Sequence, residues 1–95
     1  GTEDPRGVAY GLLDAAQGGV LFLDGIELLE SDAQRALAAA LEARSFTRAG
    51  AAVPVAVDLR VVAASAVDLA AATAAGRFDE GLRYQLDVLP LRAPP

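Results

Sequence analysis

Three short apolar runs stand out along the chain, each ended by a polar residue or a proline. Runs of this kind are typical of strands buried in a parallel sheet. The predicted strands are 20–24, 59–64 and 86–89. A looser alternation over 46–57, interrupted by Gly50 and Pro54, predicts a β-hairpin.

The segments around these strands carry apolar residues at helical spacing. The predicted helices are 8–16, 32–44, 68–75 and 78–84. Ser31 is placed to cap the second helix, and Gly76 to end the third. Residues 1–7 and 92–95 are predicted to be a loop and a tail. Strands that alternate with helices predict an α/β fold with a parallel sheet of about three strands.

Composition narrows the function classes. The 95 residues suffice for one small domain at most, or for part of one. The net charge is −5 and no basic patch is visible, so we expect no direct contact with nucleic acid. The chain contains neither cysteine nor histidine, which excludes thiolate metal sites and histidine-based catalysis. No apolar run is long enough to span a membrane and no leader is visible, so we expect a cytoplasmic location.

The first predicted strand delivers one carboxylate, Asp24, to its C-terminal end. In P-loop nucleotide hydrolases such a carboxylate holds the magnesium of the bound nucleotide. Asp24 is therefore the candidate nucleotide- and magnesium-binding residue, although an aspartate that merely ends a strand fits the same short pattern. In the AAA+ branch of those hydrolases a glutamate follows the aspartate, whereas Gly25 follows it here.

All eight basic residues of the chain are arginines. The phosphate-binding loop of P-loop nucleotide hydrolases needs a lysine after its glycines to reach the β- and γ-phosphates. That loop therefore lies upstream of this sequence, or there is none.

Several motifs, in a fixed order, resemble the AAA+ domain of sigma-54-dependent transcriptional activators, the bacterial enhancer-binding proteins. The resemblance covers nearly all of the chain after Gly7. Each motif alone is weak, whereas their order and spacing together are specific. The motifs are the segment 11–24 with its Gly-Gly pair before the strand, Gln34, the F-x-R-x-G stretch 46–50, the strand 57–65, and the segments 76–78, 82–86 and 89–95.

The resemblance implies a fold, cofactors and partners. Residues 1–95 are then the C-terminal part of a AAA+ ATPase-like, sigma-54 interaction domain, a partial three-layer α/β/α P-loop core that lacks the Walker A strand. The family places that strand between the predicted strands 59–64 and 86–89, so we expect unpaired strand edges there. The implied cofactors of the full-length protein are ATP and Mg²⁺, with Asp24 at the metal, and we expect none bound by this segment alone. The implied partners are other AAA+ subunits, in a homo- or hetero-oligomer.

Four departures from the family pattern remove catalytic groups, so no catalytic residue is assigned. Gly25 replaces the glutamate that activates the attacking water, and a glycine cannot act as a general base. Ala66 replaces the sensor I asparagine, which reports on the γ-phosphate. Asp79 and Gln85 occupy the two arginine-finger positions, and an arginine finger is worth roughly 10³–10⁵ in rate.

Two further features argue against full family activity. Arg77 and Arg83 lie two residues upstream of the finger positions, which on a helix turns them about 200° away. The loop with which the family grips sigma-54 has the pattern G-A-F-T-G-A, whereas residues 1–7 contain no phenylalanine. This loss argues against contact with sigma-54 RNA polymerase.

Three functions fit these observations. The first is a degenerate AAA+ module in transcription regulation that is impaired in ATP hydrolysis and acts by assembly or scaffolding. The second is an active ATP-dependent activator that remodels sigma-54 promoter complexes. The third is a non-enzymatic α/β interaction domain. Whether the protein is an enzyme stays open, and the first function is favoured because glutamate, sensor and fingers are all replaced.

Overall fold

The structure is a computed structural model that describes residues 5–48 and 50–90. Its helices are α1 (Pro5–Ala16), α2 (Ser31–Ala43), α3 (Leu69–Ala74) and α4 (Glu80–Gln85), with a 3₁₀ turn at Ile26–Leu28. Its strands are β1 (Val20–Asp24), β2 (Ser45–Phe46), β3 (Val55–Ala56), β4 (Arg60–Ser65) and β5 (Asp87–Pro90). The predicted tail, and residues 1–4 of the predicted loop, lie outside the described residues. Within the described part, no helix has both the length and the apolar character needed to cross a membrane.

β1, β4 and β5 form a parallel sheet in the order β1-β4-β5. Val20 of β1 lies opposite Arg60 of β4, and Val62 of β4 lies opposite Asp87 of β5. β2 and β3 form a separate antiparallel hairpin between α2 and β4. The α/β class, the three parallel strands and the hairpin that the sequence predicts are confirmed.

The expectation of unpaired edges between β4 and β5 is wrong. The two strands pair directly, from Val62 with Asp87 to Ser65 with Pro90. Backbone N–H and C=O groups on an unpaired strand edge lose their hydrogen bonds. Within the described residues, β5 is the parallel strand that hydrogen-bonds to the backbone groups along this side of β4. The two strands are therefore direct neighbours in the sheet.

The core lies on one face of the sheet. Leu21, Val61 and Ala63 are buried there and belong to one cluster with the helices. Successive side chains of a strand point to opposite faces. On the second face, Val20 and Phe22 are 60% and 56% exposed, so the sheet is open to solvent at these positions.

Small side chains bring α2 close to α1 and α4. Its buried residues are Ala33, Gln34, Ala36, Leu37, Ala38, Ala40 and Leu41.

Gln34 is the polar member of this face and is only 3% exposed. Its Nε2 donates to the Leu29 carbonyl at 2.7 Å, and its Oε1 accepts from the Asp79 N–H at 2.8 Å. Gln34 therefore joins the start of α2 to the start of α4.

All four helices begin one to three residues away from their predicted starts. α1 begins at Pro5 rather than Val8, because proline suits the first turn of a helix, where its missing N–H leaves no bond unmade. Ser31 is the first residue of α2 and not its cap. Glu30 stands at the cap position, and its side chain makes no capping hydrogen bond.

Side chains of α1, and of Gln17 directly after it, hold the hairpin to the rest of the fold. The rings of Tyr10 and Phe46 lie with their centroids 5.8 Å apart. The Gln17 amide donates to the Ala56 carbonyl and accepts from the Asp58 N–H, both at 2.8 Å. The hairpin strand β3 and the segment leading into β4 are therefore held to the end of α1.

An exposed ion pair adds a further link between α1 and the hairpin. Asp14 Oδ1 accepts from Arg48 Nη2 at 2.7 Å and from Arg48 Nε at 2.9 Å. These hydrogen bonds, and with them the charge of the guanidinium, lower the pKa of Asp14 below its usual range and raise that of Arg48. The carboxylate therefore stays ionised, and the link intact, throughout the neutral range.

We expect Gln34→Leu to destabilise the region around α2 by about 2 kcal/mol or more. The change leaves the Leu29 carbonyl and the Asp79 N–H without their partner, and each unmet buried group costs about 1–3 kcal/mol. Hydrogen exchange of amides in α2 and α4 of the full-length protein measures the local free energy of unfolding. Glu42→Leu, at an exposed position of α2, is the control and should change this energy by less than about 0.5 kcal/mol. Equal effects of the two substitutions contradict the bridging role.

Acid should release the hairpin from α1. Because its pKa is lowered in the folded state, Asp14 contributes stability above the unfolded value of about 3.9 and loses it as the pH falls through the lowered value. In Asp14→Asn the link lacks its charge at every pH. Hairpin amides of this variant should exchange faster than those of the wild type at neutral pH, and the difference should shrink in acid and in high salt. A difference that persists unchanged below pH ~2 contradicts this assignment.

Candidate functional site

Asp24 is the last residue of β1, as the sequence predicts. Its side chain is exposed, and its neighbour in the sheet is Ala64 of β4. In open α/β sheets, ligands bind outside the carboxyl ends of the strands. Asp24 therefore lies at the edge of the sheet where a ligand is expected.

Gly25 makes a left-handed turn directly after Asp24. Its φ is 73° and its ψ 43°, a conformation that costs residues with a Cβ about 1–2 kcal/mol. Its N–H donates to the Ala64 carbonyl at 2.9 Å, which extends the pairing of β1 with β4 by one residue. A Cβ at this position meets only the side chain of Leu28, at 3.5 Å. Backbone conformation, rather than space, therefore favours glycine here.

Glu27 returns a carboxylate to this edge of the sheet. It lies in the 3₁₀ turn, is half-buried, and accepts a hydrogen bond on Oε2 from the Ala66 N–H at 3.3 Å. Its Oε1 is buried and has no hydrogen-bond partner among the described residues. The sequence did not single out Glu27. The available signal is an acidic residue two positions after Gly25, a residue type that marks a turn at the end of the strand.

The turn after β4 offers no uncommitted side-chain donor. Ala66, at the position that resembles sensor I, is exposed and carries only a methyl group. Ser65 is buried, and its hydroxyl donates to the Val67 carbonyl at 2.9 Å and accepts from the Val67 N–H at 3.1 Å. The turn therefore presents its backbone, rather than a side chain, for contacts.

The two positions that correspond to arginine fingers lie at the start and at the end of α4. Asp79 caps this helix, because its Oδ2 accepts from the Leu82 N–H at 2.8 Å. Its carboxylate thus turns back onto its own helix, as expected for a helix start favoured by the dipole. Gln85 ends α4 and is half-buried. Arg77 lies before α4 and Arg83 lies within it, and both are exposed. The expectation that a helix turns these arginines away from the finger positions therefore applies to Arg83 alone.

Asp24 fits one ligand of a magnesium site rather than a complete site. Among residues 5–48 and 50–90, no group of three or more acidic side chains could hold a metal ion. Magnesium keeps several waters and is held in proteins by one or two carboxylates together with the phosphates of a nucleotide. A single exposed carboxylate at a strand end matches that mode of binding.

Comparison with known proteins identifies the family of the chain. A model of the Sigma-54 interaction domain family matches residues 3–92. The response regulator protein PilR of Pseudomonas aeruginosa is 44% identical over 85 residues, which cover 90% of this chain and 19% of PilR. The C4-dicarboxylate transport transcriptional regulatory protein DctD of Rhizobium meliloti is 45% identical over 85 residues, which cover 90% of this chain and 18% of DctD.

Crystal structures of NtrX from Brucella abortus have the same fold. One of them covers 98% of this chain and 24% of the NtrX chain, with a TM-score of 0.75 and 28% identity. The complex of NtrX with ATP covers 83% of this chain and 18% of the NtrX chain, with a TM-score of 0.71 and 33% identity. The chain spans about a fifth of the length of the curated relatives named above. The family match over residues 3–92, joined to identities above 40% with PilR and DctD, shows that the chain belongs to the Sigma-54 interaction domain family.

Proposed function

We propose that residues 1–95 form the C-terminal part of a AAA+ ATPase-like domain in a cytoplasmic bacterial transcription regulator. The domain acts by assembly or scaffolding and is impaired in ATP hydrolysis. The observation that carries the proposal is the pair of residues at the end of β1. Asp24 keeps an exposed carboxylate, whereas Gly25 has no side chain and takes a left-handed backbone conformation.

Binding of ATP with Mg²⁺ is the part of the family's chemistry that this edge supports. The relative NtrX has been crystallised with ATP, and Asp24 stands ready to contribute one metal ligand. The lysine that reaches the phosphates is absent from this sequence. Binding therefore requires a phosphate loop from elsewhere in the protein, and residues 1–95 alone bind no cofactor tightly.

Efficient hydrolysis lacks support at the described site. Phosphoryl transfer depends almost entirely on positioning and charge stabilisation. Gly25 cannot take a proton from water, and Ala66 has no polar side-chain atom. Asp79 is bonded to the start of α4 and carries the charge opposite to that of a finger. Loss of an arginine finger alone costs roughly 10³–10⁵ in rate.

The partners that fit this proposal are other AAA+ subunits, identical or related. Contact with sigma-54 RNA polymerase is less well supported, because residues 1–7 lack the phenylalanine of the family's gripping loop. A net charge of −5 argues against direct contact of this segment with DNA.

The main alternative is an active ATP-dependent activator that remodels sigma-54 promoter complexes. It is favoured by the identities of 44% with PilR and 45% with DctD over 85 residues. The third function is a non-enzymatic interaction domain. Titration of the full-length protein with labelled ATP separates the three, because binding without turnover supports our proposal, turnover supports the activator, and no binding supports the interaction domain.

Asp24→Asn should weaken the binding of ATP with Mg²⁺ to the full-length protein by about tenfold, the factor for a loss of about 1.4 kcal/mol. The amide lacks the charge that attracts the metal ion, so the affinity for ATP in EDTA should stay unchanged. The control is Asp58→Asn, because Asp58 is exposed and precedes the opposite end of β4. Equal magnesium-dependent affinities of Asp24→Asn and the wild type contradict the role of Asp24.

Gly25→Glu should not restore hydrolysis. The left-handed backbone should make this substitution cost about 1 kcal/mol in stability, much as Gly25→Ala does. The sensor and finger groups stay absent in both variants. Thermal unfolding and ATP turnover of the two variants check this expectation. If Gly25→Glu hydrolyses ATP at the rate of active family members, the missing carboxylate alone limited the rate of hydrolysis. This result contradicts our proposal.

A further inference from the structure

Two contacts tie the loop after β1 to the end of β4 and to the turn that follows it. The Gly25 N–H donates to the Ala64 carbonyl at 2.9 Å. The Ala66 N–H donates to Glu27 Oε2 at 3.3 Å. The first contact continues the sheet, whereas the second depends on a side chain and can be removed by one substitution.

We propose that Glu27 is a positioning residue that fixes the backbone of Ala66 relative to Asp24. This inference rests on the proposed function, since it assigns Glu27 a role at the proposed nucleotide edge. Glu27 touches the loop and not the reacting atoms, so it acts through the turn 65–67. The effect is that this turn keeps one position beside the strand end that carries Asp24.

Neither Ala66 nor Ser65 has a free side-chain donor for Glu27, so the turn bonds to Glu27 through its backbone. Ala66 has no polar side-chain atom, so its N–H is the donor that this residue can offer. The Ser65 hydroxyl is engaged with Val67 on both its donor and its acceptor side. Glu27 therefore supplies the side-chain contact that links this turn to the loop after β1.

The link between Glu27 and the turn 65–67, here called the clamp, depends on a single hydrogen bond. Oε1 is buried and has no hydrogen-bond partner among the described residues, and buried polar atoms in native proteins usually have one. The carboxylate is thus held through Oε2 alone. Removing the carboxylate should release the turn, while an amide oxygen at the same place should keep it.

Hydrogen exchange of the Ala66 amide in the full-length protein, without nucleotide, tests the clamp. Glu27→Ala should speed this exchange roughly 3- to 10-fold, the factor of one net hydrogen bond. Glu27→Gln should keep the wild-type rate, because its amide oxygen accepts from Ala66. Glu42→Ala, at an exposed position of α2, is the control for loss of a glutamate.

Two exchange results overturn the proposal. One is an unchanged Ala66 rate in Glu27→Ala. The other is equal acceleration of core amides such as those of Leu37 and Leu82, because it shows general destabilisation instead of local release.

A second measurement separates this inference from the proposed function. If both hold, Glu27→Ala should weaken the binding of ATP with Mg²⁺ relative to Glu27→Gln. If the wild-type protein binds no ATP, the proposed function fails, while the exchange rates still decide whether Glu27 clamps the turn. Equal ATP affinities of the two variants, in a protein that binds ATP, overturn the positioning role.

Discussion

The parallel pairing of β1 with β4 positions the groups that surround Asp24. It places Asp24 beside Ala64, and the N–H of Gly25 extends the pairing by one further bond to the Ala64 carbonyl. Gly25 has a left-handed backbone conformation, and the 3₁₀ turn that contains Glu27 begins directly after it. The core beneath depends on the same pairing, because Leu21 and Val61 meet on the helix-covered face of the two strands.

The same pairing bears on our proposal that Asp24 serves as a metal ligand while the site lacks a catalytic carboxylate. A glutamate directly after Asp24 would have to adopt the left-handed conformation that Gly25 adopts at φ 73°, at a cost of about 1–2 kcal/mol. The carboxylate of Glu27 lies close by but is engaged by the backbone of Ala66. In our proposal this carboxylate holds the turn 65–67 in place.

The sequence predicted elements where one physical signal dominates. The bounds of β1 are those predicted, because four apolar residues end at Asp24. The start of α1 and the cap of α2 were less predictable, since Pro5 and Ser31 are each compatible with more than one position at a helix start. The pairing of β4 with β5 depends on which strands are present in space, which no local pattern records. The side chain of Glu27 accepts from a backbone N–H that is distant in sequence, and the side chain of Asp79 accepts from a backbone N–H in the first turn of its own helix. The spacing of apolar residues does not predict either hydrogen bond.

We propose that the site keeps nucleotide binding and has lost hydrolysis. The most direct test of this proposal is a single-turnover experiment in which the full-length protein, with Mg²⁺, is in excess over labelled ATP. The account predicts that the label is bound and is recovered as intact ATP after times that suffice for complete conversion by an active family member. Conversion of the bound ATP to ADP at the rate of such a member would contradict it.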